Sequence, residues 1–349
     1  VKQERSKPAG IKEIAAALNI SIGTVDRALH ARPGVNADTR SRVLKMAEEL
    51  NYRPNVAARN LKLNRNVRIA VHLPEQIATF YDPVRDGIRA AAREGIGGIA
   101  ELAFRTYPTF YQEDLRSVEE DLEQGYDGFI LAPGNPRRID PLLRKIAATG
   151  ASALCVATDA PHSPRLGFVG SDAFACGAIA AELLAMRLQS SGTVAIVTGD
   201  LSTEDHAEKL RGFAGMLAVT ASHLHLLPAI EAHDSPEQAY RQTLKLLARR
   251  PSPSGIYIGT ANSLPVLRAI EEHSLLGQIQ VVSSDLFAEL IPLIETGGVL
   301  ATLHQRPFTQ GKLAFEALAR FLLHNTQPNR VTKLVPHIVL RSNVRLFAA

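Results

Sequence analysis

Residues equipped to hold a metal, attack a bond or cradle a phosphate are sparse in this 349-residue chain. His206 beside Asp205, and His223 with His225, are the pairs from which a metal site would start. No Cys-x-x-Cys or His-Glu-x-x-His spacing surrounds them, and His223 and His225 alternate as on a strand. Gly95 to Gly98 reads Gly-Ile-Gly-Gly without the strand-turn-helix setting of a dinucleotide loop. There is no Walker A motif and no nucleophile elbow. Cys155 and Cys176 each have apolar or small neighbours, which fits reduced core thiols rather than a disulfide framework. The expectation is a binding protein rather than an enzyme, with no metal and no cofactor.

Charge supplies the first positive signal. Val1 to Arg68 carries fourteen Lys and Arg against six Asp and Glu, net +8, while the remaining 281 residues carry 25 against 29, net −4. A compact basic module on a mildly acidic body is the footprint of a protein that meets nucleic acid with one end.

The basic module is patterned for helices. Ile11, Ile14, Ala15 and Leu18 recur at helical spacing, and Asn19-Ile20-Ser21 leaves room only for a tight turn, with Ser21 placed to cap the helix that follows. That second helix buries Val25, Ala28 and Leu29. After the break at Pro33-Gly34, Asn36 caps a third helix expected to bury Val43, Leu44, Ala47 and Leu50. Two short helices joined by a tight turn make a helix-turn-helix, whose second helix offers its N-terminal side chains to a DNA major groove.

The run IKEIAAALNISIGTVDRALHARPGVNADTRSRVLKMAEELNYRPNVAARNL resembles the DNA-binding headpiece of the lac-repressor (LacI/GalR) family. The resemblance implies a homodimeric transcription regulator, each headpiece reading half of a near-palindromic double-stranded operator. It places Ile22, Gly23 and Arg27 where the recognition helix touches base edges and Thr24 on phosphate, with Ser21 also among the DNA-binding residues. Arg27 has a planar fork able to bond guanine O6 and N7 together, whereas Ile22 offers only apolar contact to a thymine methyl. The chain departs from the family with Asp26 where Ser is usual and Asn19 where Gly is usual. RPNVAARNLKLNR resembles the family's hinge helix, with Leu61 as the wedge inserted between base steps in the minor groove, flanked by Asn55, Ala58 and Lys62.

From Val67 onward, short apolar runs such as VRIAVHL, DGFILAP, SALCVAT, GTVAIVTG, SGIYIGT and IQVVSSD alternate with helical stretches. Repeated βα units imply parallel sheets covered by helices on both faces. The order resembles the type I periplasmic-binding-protein fold that forms the effector and dimerisation core of the same family. The fold class is therefore α/β: an all-α headpiece over 8–54, a hinge over 55–66, and a two-subdomain core over 67–349. The first subdomain is expected at about 67–167 with 305–327, the second at about 168–304 with 328–349.

Ligands of open α/β sheets bind beyond the carboxyl ends of the strands. There the resemblance implies effector contacts from Phe80 and Tyr81, an aromatic pair that sandwiches a sugar ring in similar proteins, and from Asp159, Asp205, His206, Asn262, Asp285 and Gln305. Many relatives place a ligand-clamping Arg near Asp205 and His206, and this chain has none there. Carboxylates and amides serve vicinal hydroxyls while an aromatic face covers the C–H side, so a sugar or polyol is the expected effector. An enzyme on this fold is the weaker class. Two other readings share these features: a solute-binding protein without a regulatory role, and an effector-independent DNA-binding regulator.

The longest run free of Asp, Glu, Lys and Arg, Gly212 to Ile230, is broken by His223, His225 and Pro228, so no membrane span is expected. The opening VKQERSKPAG lacks the apolar region of a signal peptide, and a cytoplasmic protein is expected.

Overall fold

A computed structural model describes residues 10–29, 33–50, 52, 67–94, 99–108, 115–249 and 252–347. The expected hinge contacts Asn55, Ala58, Leu61 and Lys62, and the run Gly95 to Gly98, lie outside the described residues. The chain divides into two units, Val1–Arg65 and Asn66–Ala349.

In the first unit, α1 (Ile11–Leu18), α2 (Ile22–Leu29) and α3 (Ala37–Glu49) enclose Ile14, Ala15, Val25, Ala28 and Val43. Asn19 ends α1 in the left-handed region at φ 51°. Asn tolerates that conformation better than most L-residues, which accounts for it at a position where glycine is usual in the family. Ser21 caps α2 by accepting from Thr24 N at 3.0 Å, and Asn36 caps α3 by accepting from Thr39 N at 2.7 Å. The expected inward face of α3 needs one correction. Leu44 is 46% exposed, and Met46 packs inward with Val43, Ala47 and Leu50, because those four follow the i, i+3, i+4, i+7 stripe.

The second unit holds two sheets. The first comprises β1 (Val67–Pro74), β2 (Ile99–Tyr107), β3 (Gly128–Leu131), β4 (Ser152–Val156), β5 (Gly167–Ser171) and β12 (Val331–Leu334), in the order β12-β5-β4-β3-β1-β2 and parallel throughout. The second is built from β6 (Gly192–Thr198), β7 (Leu224–Leu226), β9 (Gly255–Ile258), β10 (Gln280–Ser284), β11 (Ala301–His304) and β13 (His337–Val339), in the order β13-β11-β10-β9-β6-β7, with β8 (Ile230–Glu231) also paired to β6. Only β13 among these described strands runs antiparallel to its neighbour. The chain crosses between sheets after β5, after β11 and after β12. The crossovers therefore follow Ser171 and Leu334 rather than the expected 167 and 327, because β5 and β12 hydrogen-bond to each other in the first sheet.

Each sheet is covered by a pair of helices that meet through glycine. Ala78–Arg93 meets Pro307–His324, where a Cβ on Gly87 would lie 1.9 Å from Phe308 O and one on Gly311 2.0 Å from Val84 O. Ala173–Arg187 meets Glu204–Thr220, where a Cβ on Gly177 would lie 1.9 Å from Lys209 O and one on Gly212 2.1 Å from Phe174 O. Only glycine lets the backbones come this close. No helix among the described residues is long and apolar enough to cross a membrane.

Candidate functional sites

On the headpiece, α2 divides cleanly into two faces. Val25 and Ala28 are buried, while Ser21, Ile22, Gly23 and Arg27 are exposed and Thr24 is half-buried. Ile22, 51% exposed in the first turn beside Gly23, and Arg27 in the last turn leave an open face bearing one cation, as a groove-reading helix presents. The Arg27 stem lies along Gly34, whose left-handed backbone (φ 94°) turns the loop. Asp26 lies close enough to the Tyr52 phenol to help burial raise its pKa.

The core carries its chemistry between the two sheets. Ile77, Phe80, Tyr81, Ala157, Thr158, Asp205, His206, Lys209, Asp234, Ala261, Asp285 and Gln305 line a cavity of about 420 Å³, counting its open mouth. Each lies beyond the carboxyl end of a strand, from β1 and β4 on one side and from β6, β8, β9, β10 and β11 on the other, as expected for ligand sites in open α/β sheets. Several of these turns are strained: Ile77 (φ 61°), Ala157 (φ 68°), Asp234 (φ 49°) and Asp285 (φ 63°) are all left-handed, and such residues cluster where function over-determines the backbone.

Burial and ion pairing set the protonation of the polar wall. Asp205 and Lys209 share one face of Glu204–Thr220, with Lys209 Nζ 3.3 Å from Asp205 Oδ2 and 3.1 Å from Gly259 O. Burial is the largest single influence and opposes the ammonium charge, but Asp205 acting together with Tyr257, Cys176 and Asp285 outweighs it and holds Lys209 above its ordinary range. His206 Nδ1 lies 3.0 Å from the Thr198 hydroxyl and Nε2 3.5 Å from Asp234 Oδ2. Burial works against imidazolium, and Asp205 and Asp234 together raise its pKa nonetheless. Asp234 also accepts from the Thr260 hydroxyl at 2.7 Å. The Asp285 carboxylate accepts from Gln305 N at 3.1 Å and from Gln305 Nε2 at 2.7 Å. Burial pushes its pKa up to about 6 against the pull of Lys209 and Gln305.

Six of the eight residues expected around the effector, Phe80, Tyr81, Asp205, His206, Asp285 and Gln305, line this one cavity. The other two do not. Asp159 is held by Arg165 in a buried two-point ion pair, with Arg165 Nη2 2.6 Å from Asp159 Oδ2 and Arg165 Nε on Oδ1. Its neighbour Thr158 faces the cavity instead. Asn262 donates from Nδ2 to Asp234 O at 2.6 Å and so positions that loop, while Ala261 lines the wall. Phe80 and Tyr81 also do not sandwich a ring. Their centroids lie 5.1 Å apart with planes at 81°, because adjacent residues on one helix pack edge to face and make a single wall.

Sequence reasoning missed Lys209 and Asp234. Lys209 stands one helical turn after Asp205, a spacing that places an ion pair on a single face. It supplies a cation close to where the resemblance looked for arginine. Asp234 carries no comparable signal, since the side chains that hold it come from distant loops.

The comparisons with known proteins agree with this geometry. Residues 10–55 match the family described as bacterial regulatory proteins, lacI family, and residues 69–326 match the periplasmic binding protein domain. Catabolite control protein A of Priestia megaterium is 22% identical over 345 residues, covering 96% of this chain and 99% of that protein. The HTH-type transcriptional repressor PurR of Klebsiella pneumoniae is 23% identical over 359 residues, covering 96% and 97%. Among solved structures, GanP, a glucose-galactose binding protein from Geobacillus stearothermophilus, shares the fold with a TM-score of 0.74 at 22% identity, over 80% of this chain and 99% of that one. A solute binding protein from Bacillus halodurans with bound myo-inositol shares it with a TM-score of 0.73 at 16% identity, over 81% and 97%. A helix-turn-helix headpiece joined to a periplasmic-binding-protein domain, matched along nearly its whole length by known regulators, places this chain in the lacI family of DNA-binding transcription regulators.

Proposed function

We propose that this regulator is a cytoplasmic homodimeric repressor, without catalytic activity, whose hold on a near-palindromic operator is set by a neutral sugar or polyol bound in the core cavity. The observation that carries the effector class is the cavity's charge. Its lining has three carboxylates, Asp205, Asp234 and Asp285, against the Lys209 ammonium and the His206 imidazole, and both of these already face carboxylates. An anionic ligand would find no uncommitted positive partner among the described lining residues. Hydroxyls can share these carboxylates and the Gln305 amide, while Phe80 and Tyr81 cover the C–H side. The glucose-galactose binding protein and the solute binding protein with bound myo-inositol, which share the fold, support the same class.

In the mechanism this implies, Ile77, Phe80, Tyr81, Ala157 and Thr158 contribute from the first sheet's side and Asp205, His206, Lys209, Asp234, Ala261 and Asp285 from the second. A ligand that touches both favours one relative setting of the two sheets, and operator affinity then changes by linkage. Ser21, Ile22, Gly23, Thr24 and Arg27 read and hold the major groove, and Asn55, Ala58, Leu61 and Lys62 act in the minor groove.

The test is a thermal-shift panel of neutral sugars and polyols beside sugar phosphates and sugar acids. At a hundred times its dissociation constant a ligand adds about 2.7 kcal/mol. Neutral hits lost in Phe80→Ala are expected, and hits confined to the anions refute the class. Operators recovered by selection from random DNA should then bind with altered affinity when the hit is added. Light scattering should report a dimer at micromolar concentration, and a monomer refutes that part of the reading.

A further inference from the structure

We propose that Asp200, Glu231 and His233 form a site for one divalent transition-metal ion, of the zinc or manganese type, beside the effector cavity. The three residues come from neighbouring strand ends. β8 runs parallel to β6 with Val197 opposite Ile230 and Thr198 opposite Glu231. The loop after β6 thus carries Asp200 alongside Glu231 at the end of β8 and His233 just beyond it.

One donor atom from each residue lies within 4.8 Å of the other two, and Asp200 Oδ2 is 3.2 Å from His233 Nδ1. An ion with bonds of ~2.0–2.2 Å holds adjacent donors ~3–3.5 Å apart and opposite donors ~4 Å apart, so the cluster needs only small movements to close on one. Asp200 and Glu231 are half-buried, and the His233 side chain is 46% exposed, which leaves an entry path and room for water to complete the coordination. Two carboxylates with one imidazole favour first-row transition ions over Mg²⁺.

The position gives the ion a consequence. His233 and Asp234 are both left-handed, at φ 46° and 49°, so consecutive side chains serve different sites, His233 the cluster and Asp234 the cavity. Asp234 O accepts from Gln76, and in the loop after β6 the Thr203 hydroxyl donates to Gly134 O at 3.0 Å, both bonds reaching from one subdomain to the other. An ion tying these two loops together braces the wall that contacts the first subdomain.

The experiment is calorimetric titration of the chelator-stripped full chain with ZnCl₂ and, separately, MnCl₂, against Asp200→Asn and His233→Asn. Asparagine accepts the left-handed backbone at position 233, so the loop survives the change, and an unchanged melting temperature in chelator confirms the fold. The expected result is one saturable equivalent in the wild type, weakened at least ~10-fold in each variant. Absence of a saturable equivalent for either ion, or wild-type affinity in His233→Asn, overturns the site.

Discussion

Replacing Asp285 with Asn should make the unliganded core more stable at neutral pH while weakening effector binding. Asp285 is 2% exposed, and burial outweighs both Lys209 and the two hydrogen bonds from Gln305, so its pKa rises from an ordinary 3.8 to about 6. The sign follows from proton binding. Between those values the folded chain holds a proton that the unfolded chain has lost, so stability falls as pH rises from about 4 to about 6 and stays lower above it. At about 1.36 kcal/mol per pH unit the full penalty at neutral pH is on the order of 3 kcal/mol. The Asn oxygen can still accept from Gln305 N, and the Gln305 amide can turn to accept from the new NH₂ group. The net gain expected at pH 7.5 is therefore about 1–3 kcal/mol, or ~2–5 °C for a core of this size at about 2.1 cal/mol/K per residue. Melting curves at pH 5.0 and 7.5 decide it, since the difference between wild type and variant should grow by on the order of 1 kcal/mol between them. A variant less stable than wild type at pH 7.5, or a difference indifferent to pH, would falsify the reasoning and make Asp285 a carboxylate fully supported by Lys209. The accompanying loss of affinity is the trade between stability and function expected of a buried charge kept for a ligand.

Other residues give sharper single tests. Arg165→Met strands the buried Asp159 carboxylate and should cost ~3–5 kcal/mol in denaturant melts, with Asp159→Asn in the same chain restoring part of it; an unaffected melt would mean the pair is not structural. Gly212→Ala drives a Cβ to 2.1 Å from Phe174 O, so ~1–3 kcal/mol of stability should be lost and the helix bearing Asp205, His206 and Lys209 displaced, read as weaker effector binding. Arg27→Ala should cost about 1–3 kcal/mol at one operator base and leave non-specific DNA binding nearly unchanged, and equal losses on both would exclude it as a base reader.

Much of this organisation is legible in the chain. Local periodicity carries the headpiece, since Ile14, Ala15, Val25 and Ala28 lie within four turns of helix and cap residues Ser21 and Asn36 act within three residues of themselves. The buried strands β1, β3, β4, β6, β9 and β10 announce themselves as short apolar runs. Edge strands do not. β12 alternates exposed and part-buried residues, β2 interrupts its buried Ala103 and Tyr107 with Glu101, Arg105 and Thr106, and β8 is two residues long, so none makes an apolar run.

The sequence by itself determined the residue chemistry, the basic reading helix and the βα order, because these depend on neighbours a few positions apart. Tertiary structure alone decided which polar groups share a cavity. Asp159 and Asp285 are both aspartates just past a strand end, yet a buried Arg165 neutralises the first while the second faces the cavity under a desolvation penalty. Asp234, Lys209 and the Asp200–Glu231–His233 cluster owe their roles to strand register and to glycine-mediated helix contact. Those are long-range packing outcomes, set by burial against partners far along the chain, and no local pattern encodes them.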